Sequence, residues 1–373
     1  MSIDRQYPGR LALQQRVLPA YRAPFFDLLA QACSGGLSVF AGQPRQDENI
    51  PAAVGLQTAQ YYPTKNWHFF NVQSPLYRCY QAGIQGWLED WQPDVLIVEA
   101  NPRYISTPQA VRWMHQCGKP AIGWGLGAPL VSGRFAGWRW RSREKFLLSL
   151  DGLIAYSQRG AQEYRQSGFP ADKIFVATNA VAPRPVQPMP ERPQDFQGKP
   201  HLLFVGRLQE RKRLDHLLQA CAALPDGLQP DLRVVGDGPA RQSLESLAMA
   251  VYPAAQFSGA HFGHELEVDF IWADAFVLPG TGGLAVQQAM AYGLPVIVAQ
   301  GDGTQDDLVR LQNGWQVPPD DLQALQTALE AALSDAQRLR RMGAESYRIV
   351  REEINLEQMV KVFVEALNSL TQT

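Results

Sequence analysis

The residues most suggestive of chemistry lie in a glycine-rich loop, Gly-Thr-Gly-Gly at 280–283, which leads from an apolar stretch into a short predicted helix. The backbone N–H groups of Gly282, Gly283 and Leu284 would point out of the helix N-terminus, where unpaired donors and a partial positive charge bind anions. Gln288 follows one turn later, and its carboxamide can pair with vicinal hydroxyl groups. The loop predicts a site for a phosphate and a polyol. A helix that only packs against its neighbours is the alternative.

Two cations occupy another loop of the same half of the sequence. A strand is predicted to end at Gly206 and a helix to begin near Arg213, so Arg207 and Lys212 flank the turn between them. An arginine can hold a diphosphate through paired hydrogen bonds, and a lysine can hold it as a point charge. Two exposed cations on a surface loop are the alternative. A third loop, at Gly236, suits either a ligand site or a tight strand-to-helix turn.

These loops depend on strands that alternate with helices. The apolar runs are short and rich in β-branched and aromatic residues, which is typical of parallel strands covered on both faces. The predicted strands cover 11–15, 37–42, 68–72, 94–100, 120–125, 152–157 and 174–179, and then 202–207, 232–238, 255–259, 275–280 and 295–300. We therefore predict an α/β fold of two doubly wound, Rossmann-like domains that face each other across a cleft, with ligands at the carboxyl ends of the strands.

Six prolines between 181 and 200 separate the two series of strands. Proline stiffens the chain and cannot donate to a sheet, so this segment is interpreted as a linker. The predicted boundaries are an N-terminal domain at 1–185, a linker at 186–200 and a C-terminal domain at 201–353.

Composition excludes some classes of function. Residues 1–180 hold 18 lysines and arginines against 12 acidic residues, and residues 181–373 hold 16 against 24. This asymmetry favours an anionic partner for the first half, although a solvated basic face explains it nearly as well. The four cysteines are scattered, without a metal-binding spacing, and no run of eighteen apolar residues occurs. We expect a cytoplasmic protein that binds no metal and no nucleic acid.

The sequence resembles the retaining GT-B glycosyltransferases of family four. The family's blocks follow in order as FVGRLQERKRLDHLLQA, VVGDGPARQSLESLA, FSGAHFGHELEVDFIWADAFVLPG, LAVQQAMAYGLPVIV and NGWQVPPDDLQALQTAL. In the first half, RVLPAYRAPFFDLLA and DGLIAYSQRGAQEYRQSGFPADKIFVATNAV are also similar to segments of the family. The order of the blocks is far more specific than any single motif.

The resemblance implies an enzyme without metal or cofactor that moves a sugar from a nucleotide diphosphosugar to a glycan or lipid-linked acceptor. Polysaccharide or glycoconjugate synthesis is the implied setting. Arg207 and Lys212 would hold the diphosphate and stabilise the leaving nucleotide, and a C-terminal helix at 354–373 would pack back on the first domain. The donor-side candidates are Gly206, Gly236, His261, Phe262, Gly280, Thr281, Gly282, Gly283, Leu284 and Gln288.

Two departures from the family pattern weaken the donor site. The family's two motif glutamates correspond to Gly280 and Gln288, and the histidine of many members corresponds to Leu126, beside Trp124 and Gly125. A front-face transfer needs no protein nucleophile, because the leaving phosphate can take the acceptor's proton. An active transferase is therefore our first interpretation. A degenerate, non-catalytic module that binds sugar nucleotides and a GT-B enzyme of another reaction type are the alternatives.

Candidates for the acceptor side lie in the first half. Arg16, Tyr21 and Arg22 follow the first predicted strand, where an arginine could hold a phosphate of a lipid-linked acceptor; a buried tyrosine with solvated arginines is the alternative. Trp124, Gly125 and Leu126 belong with them. A further group follows another strand and comprises Glu99, Asn101 and Arg103, the first of which is a candidate base.

The segment 134–145 carries five cations and one acid, with Trp138 and Trp140 among them. Such a mixture suits peripheral contact with an anionic membrane, on its inner face for a cytoplasmic protein. An amphipathic helix that packs Phe135, Phe146 and Leu150 inward is an equally good interpretation.

Overall fold

A computed structural model describes residues 6–45, 48, 50–71, 74–129, 133, 135–282, 284–301 and 303–371. The chain divides into two compact units. Unit 1 comprises Met1–Val181 together with Leu356–Thr373, and unit 2 comprises Ala182–Asn355. The chain thus leaves unit 1 at Val181 and returns to it at Leu356.

Unit 1 is built from alternating strands and helices. Its strands are β1 (Leu11–Val17), β2 (Leu37–Gly42), β3 (Gln60–Thr64), β4 (Asn66–Phe69), β5 (Arg78–Gln81), β6 (Val95–Glu99), β7 (Ala121–Gly125), β8 (Gly152–Ala155) and β9 (Ile174–Val176). Its helices are α1 (Ala23–Gln31), α2 (Ile84–Trp91), α3 (Thr107–Gln116), α4 (Ala136–Leu147), α5 (Gln158–Gln166) and α13 (Leu356–Thr371).

The described strands of unit 1 form a parallel sheet in the order β3-β2-β1-β6-β7-β8-β9, and β4 pairs with β5 in a separate antiparallel hairpin. Leu13 of β1 pairs with Val39 of β2 on one side and with Ile97 of β6 on the other. Every residue of β2 is buried, as expected for a strand covered on both faces. The strand order reverses between β1 and β6, which makes this edge the topological switch point of the sheet.

Helix α13 completes the core of unit 1. Its Phe363 ring lies 4.9 Å from the ring of Phe25 on α1 and 5.1 Å from that of Trp124 on β7, centroid to centroid, and the contacts are edge-to-face. Such aromatic pairs add to the apolar area that they bury. A segment more than 170 residues beyond the other parts of unit 1 in sequence therefore supplies part of its interior.

Unit 2 repeats the same plan. Its strands are β10 (His201–Val205), β11 (Asp231–Val235), β12 (Gln256–Gly259), β13 (Ala275–Leu278), β14 (Val296–Ala299) and β15 (Gly314–Val317). Its helices are α6 (Leu214–Ala222), α7 (Arg241–Val251), α8 (His264–Trp272), α9 (Leu284–Ala291), α10 (Thr304–Leu308), α11 (Leu322–Leu333) and α12 (Ala336–Glu352). The described part of the chain forms a parallel sheet in the order β12-β11-β10-β13-β14-β15, with its switch point between β10 and β13.

The proline-rich segment predicted as a linker packs along unit 2. The guanidinium of Arg192 donates to three backbone carbonyl oxygens of this unit, those of Ala273, Phe270 and Tyr292, at 2.9–3.0 Å. Burial and the nearby Arg340 lower the pKa of Arg192 to about 10. These hydrogen bonds thus hold the stiff, proline-rich segment against unit 2.

The predicted α/β fold of two doubly wound, Rossmann-like halves is confirmed. The predicted strands coincide with observed strands, except that the segment predicted at 68–72 begins within β4 of the antiparallel hairpin. Strands β3, β5 and β15 were not predicted. Among the described residues, no helix combines the length and the apolar character that crossing a bilayer requires.

We predict that Phe363→Ala lowers the free energy of unfolding of unit 1 by about 3–5 kcal/mol, because it leaves a cavity between two aromatic rings. Hydrogen exchange of the β1 and β6 amides measured against urea concentration would report on unit 1 alone. Lys361→Ala, an exposed position of the same helix, should change this stability by less than about 0.5 kcal/mol. Equal, small effects of the two substitutions would contradict the packing role of α13.

Candidate functional site

Part of the predicted donor side of unit 2, namely Gly280, Thr281 and Gly282, meets the loop of Lys212 at the switch point. In a parallel sheet the carboxyl ends of all strands lie at one edge, and a crevice opens where the strand order reverses. Here the loop that follows β10 and the loop that follows β13 are neighbours. The backbone N–H of Thr281 donates to the carbonyl oxygen of Arg211 at 3.0 Å, which joins the two loops directly.

Lys212 is the centre of this junction. Its ammonium donates to the carbonyl oxygen of Thr281 at 2.6 Å, and only 9% of the residue is exposed. Burial and the charge of Arg211 lower the pKa of Lys212 to about 8. In the part of the chain that the structure describes, neither Lys212 nor Arg211 forms an ion pair with a carboxylate. The junction therefore holds two cations with unneutralised charge.

Gly280 is a glycine because the other loop passes too close for any side chain. A Cβ atom at this position would lie 2.5 Å from the Cα atom of Lys212, well inside van der Waals contact. Gly282 has a positive φ of 98°, and a Cβ there would lie 2.6 Å from the Lys212 ammonium nitrogen. The space in which the resemblance implies a glutamate side chain is thus filled by the backbone that carries Lys212.

A cavity of about 700 Å³ opens beside the junction. Gly280 and Thr281 line it, as do Arg211 and Arg213. Arg213 differs from its neighbours, because its guanidinium is paired with the carboxylates of Asp215 and Asp320. We call this cavity the unit 2 pocket. Arg211 brings positive charge to the lining and Glu210 brings negative charge, whereas Lys212 itself does not line the pocket.

Close approach of a backbone accounts for the glycine at 236, whereas a Cβ atom at Gly206 would meet no atom closer than 3.6 Å. A Cβ atom at Gly236, whose φ is 144°, would lie 2.9 Å from the carbonyl carbon of Gly206. Arg207 follows Gly206 directly and is half-buried, outside the residues that line the unit 2 pocket. The tight-turn interpretation of the Gly236 loop therefore accounts for its glycine without a ligand.

His261 and Phe262 follow β12 and do not line the unit 2 pocket. The Nδ1 atom of His261 lies 2.6 Å from a carboxylate oxygen of Asp269, a buried residue that also accepts a hydrogen bond from Arg233 at 2.7 Å. The Asp269 carboxylate thereby orients the imidazole. Phe262 is largely exposed. The sequence analysis missed Asp269, which lies eight residues from its partner along the chain.

Helix α9 begins at Leu284 and carries Gln288, which is half-buried. Gly283, one of the predicted anion-binding residues, lies outside the described residues. The neighbouring Gln287 is buried and has a structural role that the sequence analysis missed. Its amide accepts a hydrogen bond from the N–H of Ala182 at 3.0 Å and donates to the carbonyl of Ile354 at 2.7 Å. One side chain thus holds both ends of unit 2.

Unit 1 contains a cavity of about 410 Å³, which we call the unit 1 pocket. It lies at the carboxyl ends of β6 and β7. Six of the predicted acceptor-side residues line it together, namely Glu99, Asn101, Arg103, Trp124, Gly125 and Leu126. The structure therefore gathers two separate predicted groups into one pocket.

The remaining three acceptor-side candidates do not line the unit 1 pocket. Arg16 forms an ion pair with Glu48 at 2.8 Å. Burial lowers the pKa of Arg16, but the hydrogen bond and the charge of Glu48 act in the opposite direction, and the net result is a raised pKa. Arg22 is only 5% exposed, and its guanidinium contacts the side chain of Asn179 and lies 5.1 Å from the centre of the Trp124 ring. Tyr21, in contrast, is exposed. The alternative interpretation of a buried tyrosine beside solvated arginines is therefore wrong.

Glu99 lies at the carboxyl end of β6, where the switch point of unit 1 is found. Its carboxylate accepts a hydrogen bond from the backbone N–H of Arg16 at 2.6 Å and another from the hydroxyl of Tyr104. Burial raises the pKa of Glu99, and these hydrogen bonds and the charge of Arg16 oppose the rise. The group can therefore accept a proton more readily than an exposed carboxylate.

The unit 1 pocket also contains arginines that the sequence analysis did not assign to it. They are Arg78 on β5 and Arg139 and Arg143 on α4. The sequence alone left the basic segment open between a membrane contact and a packing helix. Phe146 and Leu150 are buried as the packing helix requires, but Phe135 is 55% exposed, because it precedes the first turn of α4.

Within the described ranges, no group of three or more histidine, cysteine, aspartate or glutamate side chains is arranged to hold a metal ion.

Comparison with known proteins agrees with this architecture. Residues 187–349 match the family model described as "Glycosyl transferases group 1". This part of the chain is similar to the group 1 glycosyltransferase domains that the family model describes. The structure is also similar to that of HepE from Anabaena, which was solved in complex with UDP, with a TM-score of 0.70 and 16% identity over 97% of this chain and 100% of that one. That likeness establishes the GT-B fold.

Two curated relatives are each similar to about half of the chain. The chain is 31% identical over 213 residues to a GDP-mannose-dependent alpha-mannosyltransferase of Mycobacterium tuberculosis, which is 55% of this chain and 53% of the relative. It is 29% identical over 198 residues to a putative colanic acid biosynthesis glycosyltransferase, WcaL, of Escherichia coli K12, which is 48% of this chain and 47% of the relative. The chain spans about half the length of these relatives.

We predict that Gly280→Ala destabilises unit 2 by about 1–3 kcal/mol, because its methyl group collides with the backbone at Lys212. Thermal unfolding compared with Gly227→Ala would check this, since a Cβ atom at Gly227 meets nothing within 4 Å. A Gly280→Ala protein as stable as the Gly227→Ala protein would show that the two loops are not in contact.

Proposed function

We propose that the protein is a glycosyltransferase that moves a sugar from a nucleotide diphosphosugar to a glycan or lipid-linked acceptor, with retention of anomeric configuration. The observation that carries the proposal is the junction of Lys212 with the loop 280–282 at the switch point of a unit that is similar to group 1 glycosyltransferase domains. A diphosphate needs fixed positive charge in a crevice, and the junction supplies it from one buried lysine and its neighbour Arg211.

The relatives support this choice of ligand. HepE was solved in complex with UDP, and three curated relatives are named as GDP-mannose-dependent mannosyltransferases of mycobacteria. In our proposal the diphosphate lies against Lys212 and Arg207, and the ribose lies near Gln288. The N-terminus of α9 contributes its partial positive charge to the same anion.

The transfer itself is proposed to need neither a protein nucleophile nor a metal ion. The bond between the sugar carbon and the diphosphate oxygen breaks, and the acceptor hydroxyl oxygen forms a bond to that carbon on the same face. The acceptor's proton passes to the leaving phosphate. Lys212 stabilises the negative charge that develops on this phosphate, because a cation in a water-poor site acts most strongly where charge accumulates.

A second candidate is a module that binds sugar nucleotides without transferring the sugar. It is favoured by one observation, namely that neither Gly280 nor Gln288 offers a carboxylate to the sugar or the ribose. A transferase and a binding module should both bind a nucleoside diphosphate. Only the transferase releases the nucleoside diphosphate from its sugar nucleotide in the presence of an acceptor extract.

We expect a thermal-shift panel of nucleoside diphosphates in EDTA to show stabilisation by one base, amounting to about 2.7 kcal/mol at 100 times the dissociation constant. Lys212→Ala and Arg207→Ala should each weaken this binding at least tenfold, since a charge-assisted hydrogen bond contributes about 1.5–3 kcal/mol. Arg341→Ala, an exposed position on α12, is the matched control and should bind normally. The diphosphate assignment fails if both site variants bind as tightly as the control.

The lowered pKa of Lys212 predicts a pH dependence of binding. Its ammonium form is present below about pH 8 and is lost as the pH rises through that value. The dissociation constant of the nucleoside diphosphate should therefore rise several-fold between pH 8 and pH 9.5. In Lys212→Arg the guanidinium stays charged over this range, so the rise should disappear whatever the residual affinity. A flat wild-type profile would contradict the role of the lysine.

A further inference from the structure

The unit 1 pocket is unusual in its charge. Four arginines line it, and they come from three different parts of the unit: Arg78 from β5, Arg103 from the loop after β6, and Arg139 and Arg143 from α4. The two on α4 are four residues apart and therefore lie on one face of the helix. All four are half-buried. Neither the family match, which begins at residue 187, nor the relatives assign a ligand to this pocket.

These arginines are not neutralised within the protein. Among the described residues, none of the four forms an ion pair with a carboxylate, and the hydrogen bonds of Arg78 and Arg143 go to backbone carbonyl oxygens, of Tyr77 at 2.8 Å and of Pro129 at 2.5 Å. Burial lowers the pKa of Arg143, and the charges of Arg139 and Arg103 lower it further. Glu163, which does not line the pocket, opposes this lowering with a smaller effect, so the like charges are only partly compensated.

Such a cluster costs free energy unless an anion binds in it. Glu99 is the single carboxylate among the described lining residues, and its oxygens already accept hydrogen bonds from Arg16 and Tyr104. A bound anion would therefore add negative charge that the described lining residues do not supply. Arginine guanidinium groups present paired N–H donors that match the oxygens of a phosphate.

The pocket also has an apolar wall. Trp138 is 56% exposed, Leu126 is 47% exposed, and both line the cavity. The Arg78 guanidinium lies 5.7 Å from the centre of the Trp138 ring, so the charged and apolar surfaces are continuous. A ligand that carries a phosphate beside an apolar chain would contact both.

We propose that the unit 1 pocket binds the phosphate group of an amphiphilic acceptor through Arg78, Arg103, Arg139 and Arg143. This rests on the proposed function, since it names the class of acceptor that the transferase would use. The proposal replaces Arg16 and Arg22, the arginines expected from the sequence, because one is paired with Glu48 and the other is buried. The exposed Trp138 and Leu126 would contact the apolar chain.

The test uses the full chain and hexyl phosphate as a soluble probe, with inorganic phosphate and 1-hexanol as comparisons. Calorimetry should show hexyl phosphate binding more tightly than either, and hydrogen exchange should show protection at residues 75–81 and 136–147. Arg139→Gln/Arg143→Gln should weaken the binding at least tenfold. Arg141→Gln/Lys145→Gln removes the same charge from exposed positions of the same helix and should leave it unchanged.

A second arm uses vesicles of phosphatidylcholine with and without one-fifth phosphatidic acid. Binding to the anionic vesicles that depends on Arg139 and Arg143, but not on Arg141 and Lys145, identifies a lipid phosphate as the source. Hexyl phosphate binding without vesicle binding identifies a free phosphorylated acceptor. Equal losses in the two double variants would mean diffuse attraction to a basic helix and would overturn the proposal, as would absence of hexyl phosphate binding.

Arg103→Gln removes one pocket arginine outside α4. It therefore tests the pocket even if the double variant on α4 does not fold. Failure of this proposal is distinguishable from failure of the proposed function. The stabilisation by a nucleoside diphosphate should be the same in Arg139→Gln/Arg143→Gln as in the wild type. Absence of hexyl phosphate binding in a wild-type protein that is still stabilised by a nucleoside diphosphate contradicts only the acceptor assignment.

Discussion

The hydrogen bond from the Lys212 ammonium to the Thr281 carbonyl oxygen joins the two loops at the switch point of unit 2. A parallel sheet brings the loops after β10 and β13 to the same edge, and their backbones approach so closely that one position must be a glycine. That approach buries a lysine among carbonyl groups without giving it a carboxylate. The result is a buried, poorly solvated lysine whose two sequence neighbours, Arg211 and Arg213, line the unit 2 pocket. Neither the loop after β10 nor the loop after β13 would give the lysine these properties alone.

The switch point of unit 1 shows what the same topology does with different residues. There the carboxyl end of β6 supplies a carboxylate, Glu99, which takes the backbone N–H of Arg16 from the end of β1. The positive charge is displaced outward onto β5, α4 and the loop after β6. One plan of strands thus gives an inner cation in unit 2 and an inner carboxylate with an outer ring of arginines in unit 1. The same strand topology therefore carries a different pattern of charge in each unit of this protein.

Much of the fold could be predicted because buried parallel strands have a distinctive composition. Strand β3 escaped prediction because its residues are exposed or half-buried at a sheet edge and include Pro63. The donor loops were also identifiable, since glycines at the end of a strand mark a close approach of a backbone or a ligand. Their detailed roles were not, because nothing in the sequence places the backbone of Lys212 against Gly280. The family resemblance suggested that Gln288 contacts the ribose. Nothing in the sequence indicated that the adjacent Gln287 holds both ends of unit 2.

The unit 1 pocket illustrates the same limit. The helical period of α4 correctly placed Phe146 inward, yet Phe135 lies before the helix begins and follows no period. Which cations of α4 line the pocket depends on how the helix packs near the carboxyl ends of β6 and β7. Segments that are distant in sequence determine this packing. Arg78 was invisible to pattern analysis because it lies in a short antiparallel hairpin outside the alternating strands and helices.

The path of the chain through the two units has a consequence for biosynthesis. Unit 2 is contiguous, so it can fold as soon as residue 355 has left the ribosome. Unit 1 is interrupted, and the aromatic cluster of Phe25 and Trp124 stays open until Phe363 has been made. The part of the protein that is synthesised first is therefore completed last. Its sheet has all its described strands by then but must remain soluble without α13 during the translation of more than 170 further residues.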